Sequence, residues 1–220
     1  MNAMMKILGR AVLVVTAVLS AGAALAAPDV ITVGTQPGVP GTAVDIPVYI
    51  RDTSGSPLGI DQPPGSRIQS YSIKVDYAPA AAVQSVTFTR AGITQPLTPA
   101  FENSPSGPGT VSLIDSFTEA TNLIPFTSNA ALPGNQIGVL HVTLAPTATL
   151  GSTVTLTLDP TLTELTDQGG TPATIETVAN GQLTLVNGAI NVINTIPATS
   201  AWILAALAIT LAAIALRLRM

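Results

Sequence analysis

The chain has 220 residues, of which 47% are hydrophobic, 9% charged and 4% aromatic, and it contains no cysteine. Its formal net charge of −4 argues against nucleic acid as a partner, and the missing cysteines exclude disulfide staples, thiol nucleophiles and thiolate metal sites. Eighteen glycines and eighteen prolines alongside so much apolar residue describe a turn-rich, folded protein rather than a disordered linker.

The first 26 residues carry the three parts of a secretory signal. Lys6 and Arg10 form a positive start, residues 11–19 are apolar apart from Thr16, and Ala24-Leu25-Ala26 is a small-x-small cleavage site. Cleavage there starts the mature chain at Ala27; a retained anchor is the alternative, but the apolar run is short for one.

The body, residues 27–192, alternates with period two. Ile46, Val48 and Ile50 share one face of a predicted strand, with Asp45, Pro47, Tyr49 and Arg51 on the other. Pro47 has no N–H for a ladder, which places this strand at an edge or a bulge. Residues 52–67, rich in Gly, Pro and Ser, form a long loop that is either mobile or functional. Tyr71, Ile73, Val75 and Tyr77 then face one way, and Val86 and Phe88 point inward from the next strand. Residues 110–117 give a short strand; Leu140, Val142 and Leu144 point inward, as do Val154, Leu156 and Leu158. Asn187-Gly188 marks a tight turn in the closing stretch. No helical periodicity and no long repeat interrupt this pattern, so the expected fold is all-β, an antiparallel jelly-roll β-sandwich.

Residues 201–216 are apolar apart from Thr210, and as a helix at about 1.5 Å per residue they span roughly 24 Å, somewhat short of the roughly 30 Å hydrocarbon core. Trp202 sits where an interfacial ring belongs, and Arg217 and Arg219 favour a cytoplasmic end. The reading is a marginal transmembrane helix over 201–220, with a buried core helix as the alternative. Lys6, Arg10, Arg217 and Arg219 all lie in the end segments, so four bases face all twelve acids in the body, a balance of −8.

Candidate chemistry is sparse. His141 is the single histidine and lies mid-strand, so any Ser-His-Asp relay must use it; the plain reading is a partly exposed strand residue. Glu102, Asp115 and Glu119, or Asp159, Glu164 and Asp167, could supply the paired carboxylates of a glycoside hydrolase, but acidic loop residues are more often only solvated. Asp159-Pro160 and residues 164–170 offer loop oxygens for Ca²⁺, although the regular calcium-loop spacing is missing; no other cofactor is expected. Thr153, Thr155 and Thr157 make an outward threonine face that is either ordinary strand surface or a flat binding face, and Tyr49 is the one outward ring on a predicted strand.

Two resemblances follow from particular residues. Ile196-Pro197-Ala198-Thr199-Ser200-Ala201-Trp202, the apolar segment and the terminal arginines resemble the PEP-CTERM-type sorting tails of Gram-negative bacteria, in the IPTL-CTERM variant. Ile196, Pro197, Ser200 and Trp202 match that motif in register, while Ala198 and Thr199 replace its Thr-Leu pair. The resemblance implies an exosortase-like processing enzyme, a transient stay at the inner membrane through the C-terminal helix, and delivery of the body to the cell surface.

The body resembles the cohesin domain. The matching stretches are Ile31-Thr32-Val33, Gly41 to Ile50 with its Ile46-Pro47-Val48, residues 68–79, residues 138–142 and 151–156, and the closing Asn187 to Val192. Asp76-Tyr77-Ala78-Pro79 departs from the family's Tyr-Asp-Pro, and the loop at Asp52 reads as an insertion. The resemblance implies a nine-stranded jelly roll whose exposed face binds an extracellular protein, and it brings no catalytic residue. The layout expected is therefore a signal peptide (1–26), a cohesin-like sandwich (27–192), a linker with the sorting motif (193–200) and a terminal helix with a basic end (201–220). The function expected is that of a non-catalytic, surface-destined binding module for a protein or polysaccharide. A secreted carboxylate hydrolase and a structural spacer are the alternatives.

Overall fold

The structure, a computed structural model, describes residues 27–167 and 175–194. The chain opens with β1 (Asp29–Val33), β2 (Thr35–Gly38), β3 (Ala43–Arg51), β4 (Ser70–Ala78) and β5 (Val83–Arg90). Next come β6 (Phe101–Asn103), β7 (Ser106–Gly107), β8 (Thr110–Ser116), β9 (Asn135–Leu144) and β10 (Thr153–Leu158). Last are β11 (Glu164–Thr166), β12 (Ile175–Thr177), β13 (Leu183–Val186) and β14 (Gly188–Val192). The only helical pieces among the described residues are two three-residue turns, at Ala80–Ala82 and Gly92–Thr94. No helix among the described residues is long and apolar enough to cross a membrane. The signal segment through Ala26 and the tail residues Ile196, Pro197, Ser200, Trp202, Arg217 and Arg219 lie outside the described residues.

Two sheets pack face to face. Sheet A runs β13-β1-β3-β9-β5. Sheet B runs β12-β11-β4-β10-β14-β2, and β8 lies along the other edge of β4 and carries β6 and β7. The period-two pattern is what buries the interior: Ile46, Val48 and Ile50 of β3 meet Tyr71, Ile73 and Val75 of β4, with Leu140, Val142, Val154 and Leu156 among them. Each such side chain, fully buried, contributes about 1.5–3 kcal/mol of transfer free energy, so the interior holds without disulfides.

The sandwich departs from the sequence expectation at several points. The ladders are mixed rather than wholly antiparallel, because β1 pairs with β13 in parallel and β14 pairs with β2 in parallel. The cause is that two strands change sheet midway. The chain leaves sheet A after Val33, passes through Gly34 and enters sheet B as β2; it does the same from β13 through Asn187 to β14. Asn187-Gly188 is therefore a crossing between sheets and not a hairpin turn. The Asn187 side-chain oxygen accepts the Leu158 N–H at 2.9 Å, and a Cβ on Gly188 would fall on the Gly34 carbonyl.

Pro47 is not on an edge, since β3 lies between β1 and β9. Its carbonyl accepts the Gly34 N–H at 2.9 Å, on the side where β1 has just ended, so the absent N–H leaves no partner stranded. Gly34 also allows close approach, because a Cβ there would lie 3.1 Å from the proline ring. A bulge does exist nearby: the register shifts between Val48 and Tyr49, and Ile137 is the extra residue on β9. The nine strands that the resemblance implies appear as fourteen shorter pieces among the described residues, partly through such interruptions. β10 and β11 pair with successive stretches of β4, and residues 159–163 loop out between them.

Candidate functional site

The outer face of sheet B is built from short hydroxyl side chains. Alternation turns Ser70 and Ser72 of β4, Thr110, Ser112 and Ser116 of β8, and Thr153, Thr155 and Thr157 of β10 away from the interior. Ser70 and Ser116 stand opposite each other, with their hydroxyl oxygens 2.8 Å apart. Ile114 stands among these hydroxyls, opposite Ser72 on β4 and Asn103 on β6. Lys74 crosses the face, with its ammonium 2.8 Å from Asp159 and 3.5 Å from Asp76. The hydrogen bond from Lys74, joined by two from Thr161, holds the Asp159 carboxyl well below the usual carboxylate range. Asp159 is thereby engaged by Lys74 and Thr161, and residues 168–170 of the other stretch considered for Ca²⁺ lie outside the described residues. Among the described residues no three acidic or imidazole side chains are arranged to hold a metal ion.

The four residues expected on a binding face do not come together. Thr153, Thr155 and Thr157 lie on sheet B, whereas Tyr49 belongs to β3 and stands on the opposite side of the sandwich. Ala27, the expected mature terminus, is exposed and precedes β1.

His141 has two partners that sequence spacing does not disclose. Its Nδ1 lies 2.7 Å from Asp45 Oδ1 and its Nε2 lies 2.9 Å from Thr89 Oγ1, across three adjacent strands of sheet A. This is the order of a nucleophile–base–acid relay. It stands on open sheet surface, however, with the Asp45 side chain 68% exposed and that of His141 43% exposed. A relay of this kind needs a water-excluding cleft and donors aimed at a developing oxyanion. The arrangement works here as a cross-strand surface network.

The carboxylates weighed for hydrolysis line none of the main grooves among the described residues. Asp115 is buried, and its Oδ2 accepts the Tyr71 hydroxyl at 2.7 Å. Glu102 pairs with Arg90 at 3.0 Å, and Glu119 accepts the Gly65 N–H. Glu164 lies on β11, and Asp167 is buried just beyond it. Grooves of about 500, 620 and 430 Å³ open on the described surface, and no carboxylate lines any of the three.

Sequence reasoning missed one cluster altogether. Asp29 at the start of β1, Asp52 just past β3 and Glu176 in β12 are all fully buried. Each accepts one backbone N–H from the 52–67 loop: Thr53 to Asp29 at 2.6 Å, Leu58 to Glu176 at 2.8 Å, and Ile60 to Asp52 at 2.9 Å. Burial is the main cause that pushes all three carboxyls up, Asp29 to about 7 and Glu176 to about 9; repulsion from Asp29 and Asp52 adds to it at Glu176, from Asp52 at Asp29, and from Asp61 at Asp52. The loop they hold is pinned: Ser56 and Leu58 are buried, and Asp52 O accepts the Asn129 N–H.

No family model and no curated protein matches the sequence. The fold does have solved counterparts. The sixth cohesin of scaffoldin B from Acetivibrio cellulolyticus, solved in complex with a Cel5 dockerin, is 16% identical, with a TM-score of 0.52 over 75% of this chain and 99% of that one. The third cohesin of ScaC from the same organism, solved with the ScaB dockerin, is 16% identical with a TM-score of 0.53, covering 75% and 99%. The seventh ScaB type I cohesin from Pseudobacteroides cellulosolvens is 15% identical with a TM-score of 0.52, covering 78% and 96%. The described body of this chain has the cohesin fold.

Proposed function

We propose that this chain is an exported, non-catalytic module that binds a protein partner on the outer face of sheet B. The observation that carries this reading is the character of that face on a cohesin fold. Short Ser and Thr side chains lose little rotamer freedom when covered, they offer adaptable hydrogen bonds, and Ile114 gives them an apolar centre. The outer face of sheet A serves less well, because Asp45, His141 and Thr89 already satisfy one another. The dockerins on the solved neighbours make a dockerin-like domain the first partner class to try.

The routing part of the proposal rests on the sequence. The N-terminal segment exports the chain and is cut before Ala27. The tail from Ile196 hands the body to an exosortase-like enzyme and leaves it at the cell surface. The intact mass of the protein at the cell surface tests this directly. A mass lacking residues 1–26 and the segment after about residue 199 supports it, and a membrane form that keeps Trp202 to Met220 refutes it.

Calorimetric titration of the full-length chain with a panel of purified dockerins tests the binding part. The expected result is a Kd of about 1 µM or tighter for at least one. Thr155→Arg should weaken that binding at least tenfold. It should leave stability within about 0.5 kcal/mol, since Thr155 is exposed. Binding that ignores Thr155→Arg, or no binding across the panel, overturns it.

A further inference from the structure

We infer that Asp29, Asp52 and Glu176 form a proton-held latch that fastens the 52–67 loop to the end of the sandwich and releases it when the carboxyls ionise.

The geometry comes first. Each carboxyl uses one oxygen to accept a loop N–H: Thr53 is tied to the first residue of β1, Leu58 to the middle of β12, and Ile60 back to Asp52 where the loop leaves β3. The other oxygen of each, Asp29 Oδ2, Asp52 Oδ1 and Glu176 Oε2, is buried with no hydrogen-bond partner among the described residues. Three carboxylates cannot be buried side by side as anions, because each charge carries a large desolvation penalty and repels the others. Something positive must sit among them. Among the described residues no metal-ligand constellation exists. A proton held between Asp29 and Glu176, whose carboxyls lie in hydrogen-bonding contact, removes one of the charges and gives one carboxyl a hydrogen bond to donate to the other.

The surrounding charges do not supply a substitute. Arg51, next to Asp52, donates its Nε to Ala130 O at 2.9 Å and its guanidinium to Thr53 Oγ1 at 3.3 Å. Asp61, within the loop, adds negative charge beside Asp52 while accepting the Ser54 hydroxyl and the Gly55 N–H. Arg67, at the far end of the loop, lies 4.0 Å from Glu119. Glu164 on β11 precedes Leu165, the residue that stands opposite Glu176, and alternation turns it to the other face.

The sign follows from burial. Acids raised in the folded chain hold protons that the unfolded chain releases near pH 4, so the latch is tightest in acid. It weakens as pH climbs through about 7 and toward about 9, where the Asp29–Glu176 pair loses its protons.

The test is amide hydrogen exchange on the full-length chain at pH 6 and pH 9, with each rate corrected for the intrinsic base-catalysed rate. The expected result is that protection of the Leu58 and Ile60 amides falls at least tenfold at pH 9 while the Leu140 amide in β9 keeps its protection. Glu176→Gln retains the oxygen that accepts Leu58 and places an amide donor where the proton sat, so it should hold the loop closed at both pH values. Asp29→Asn is the mirror substitution and should do the same. Equal loop protection at the two pH values in the unmodified chain overturns the latch. So does recovery of protection at pH 9 on adding millimolar calcium, which would make the cluster a cation site.

Discussion

Replacing Tyr71 with phenylalanine removes one oxygen and exposes how the interior tolerates a carboxyl. Asp115 is 1% exposed, its Oδ2 accepts the Tyr71 hydroxyl at 2.7 Å, and its Oδ1 has no partner among the described residues. Burial pushes this carboxyl up to about 6, the Tyr71 hydrogen bond pulls it down, and nearby Glu102 pushes it up again. A carboxyl that ionises near 4 when unfolded and about 6 when folded lowers stability by about 3 kcal/mol as pH rises across that interval. Above pH 6 the Tyr71 hydroxyl is therefore bonded to a buried anion, and its loss should cost about 1.5–3 kcal/mol. Below pH 4 the same bond joins two neutral groups and should be worth about 1 kcal/mol. Urea unfolding of the full-length chain and Tyr71→Phe, followed by circular dichroism at pH 4 and pH 8, reads the difference directly. Titration elsewhere, including at the loop carboxyls, is common to both proteins and cancels. A destabilisation equal at the two pH values, or no destabilisation, refutes the argument that the hydroxyl holds the ionised form.

Two further outcomes follow from packing. Gly188→Ala places a Cβ against the Gly34 carbonyl and 2.8 Å from Val33 Cγ1, and overpacking of this kind costs about 1–3 kcal/mol or more, read as a fall in Tm of several degrees. Gly107→Ala, whose nearest neighbour would be Thr110 Cγ2 at 3.6 Å, is the matched control and should leave Tm nearly unchanged. Leu140→Ala empties a fully buried position in β9 and should cost about 2–5 kcal/mol in the same urea assay.

The strands that face the core on one side only were legible in the sequence. Ile46, Val48 and Ile50, or Val154, Leu156 and Leu158, alternate because the other face meets water, and that pattern fixes both element and orientation. β11 and β12 were not legible, since three residues give alternation too little length to register. The crossings at Gly34 and Asn187 were hidden for another reason: period two states which side of a strand is buried, not which sheet it joins. The threonine row on β10 was legible as a face, but its neighbours Ser112, Ile114 and Ser116 depend on β8 lying beside β4. The Asp29–Asp52–Glu176 cluster left no local mark, because its members come from β1, the start of the loop and β12, and meet only after the loop has folded over them.

The most direct measurement is a hydrogen-exchange footprint of the full-length chain with a bound dockerin. The account predicts slowed exchange along β4, β8 and β10, with the β5 and β9 amides around Thr89 and His141 unchanged. Protection confined to sheet A would contradict it.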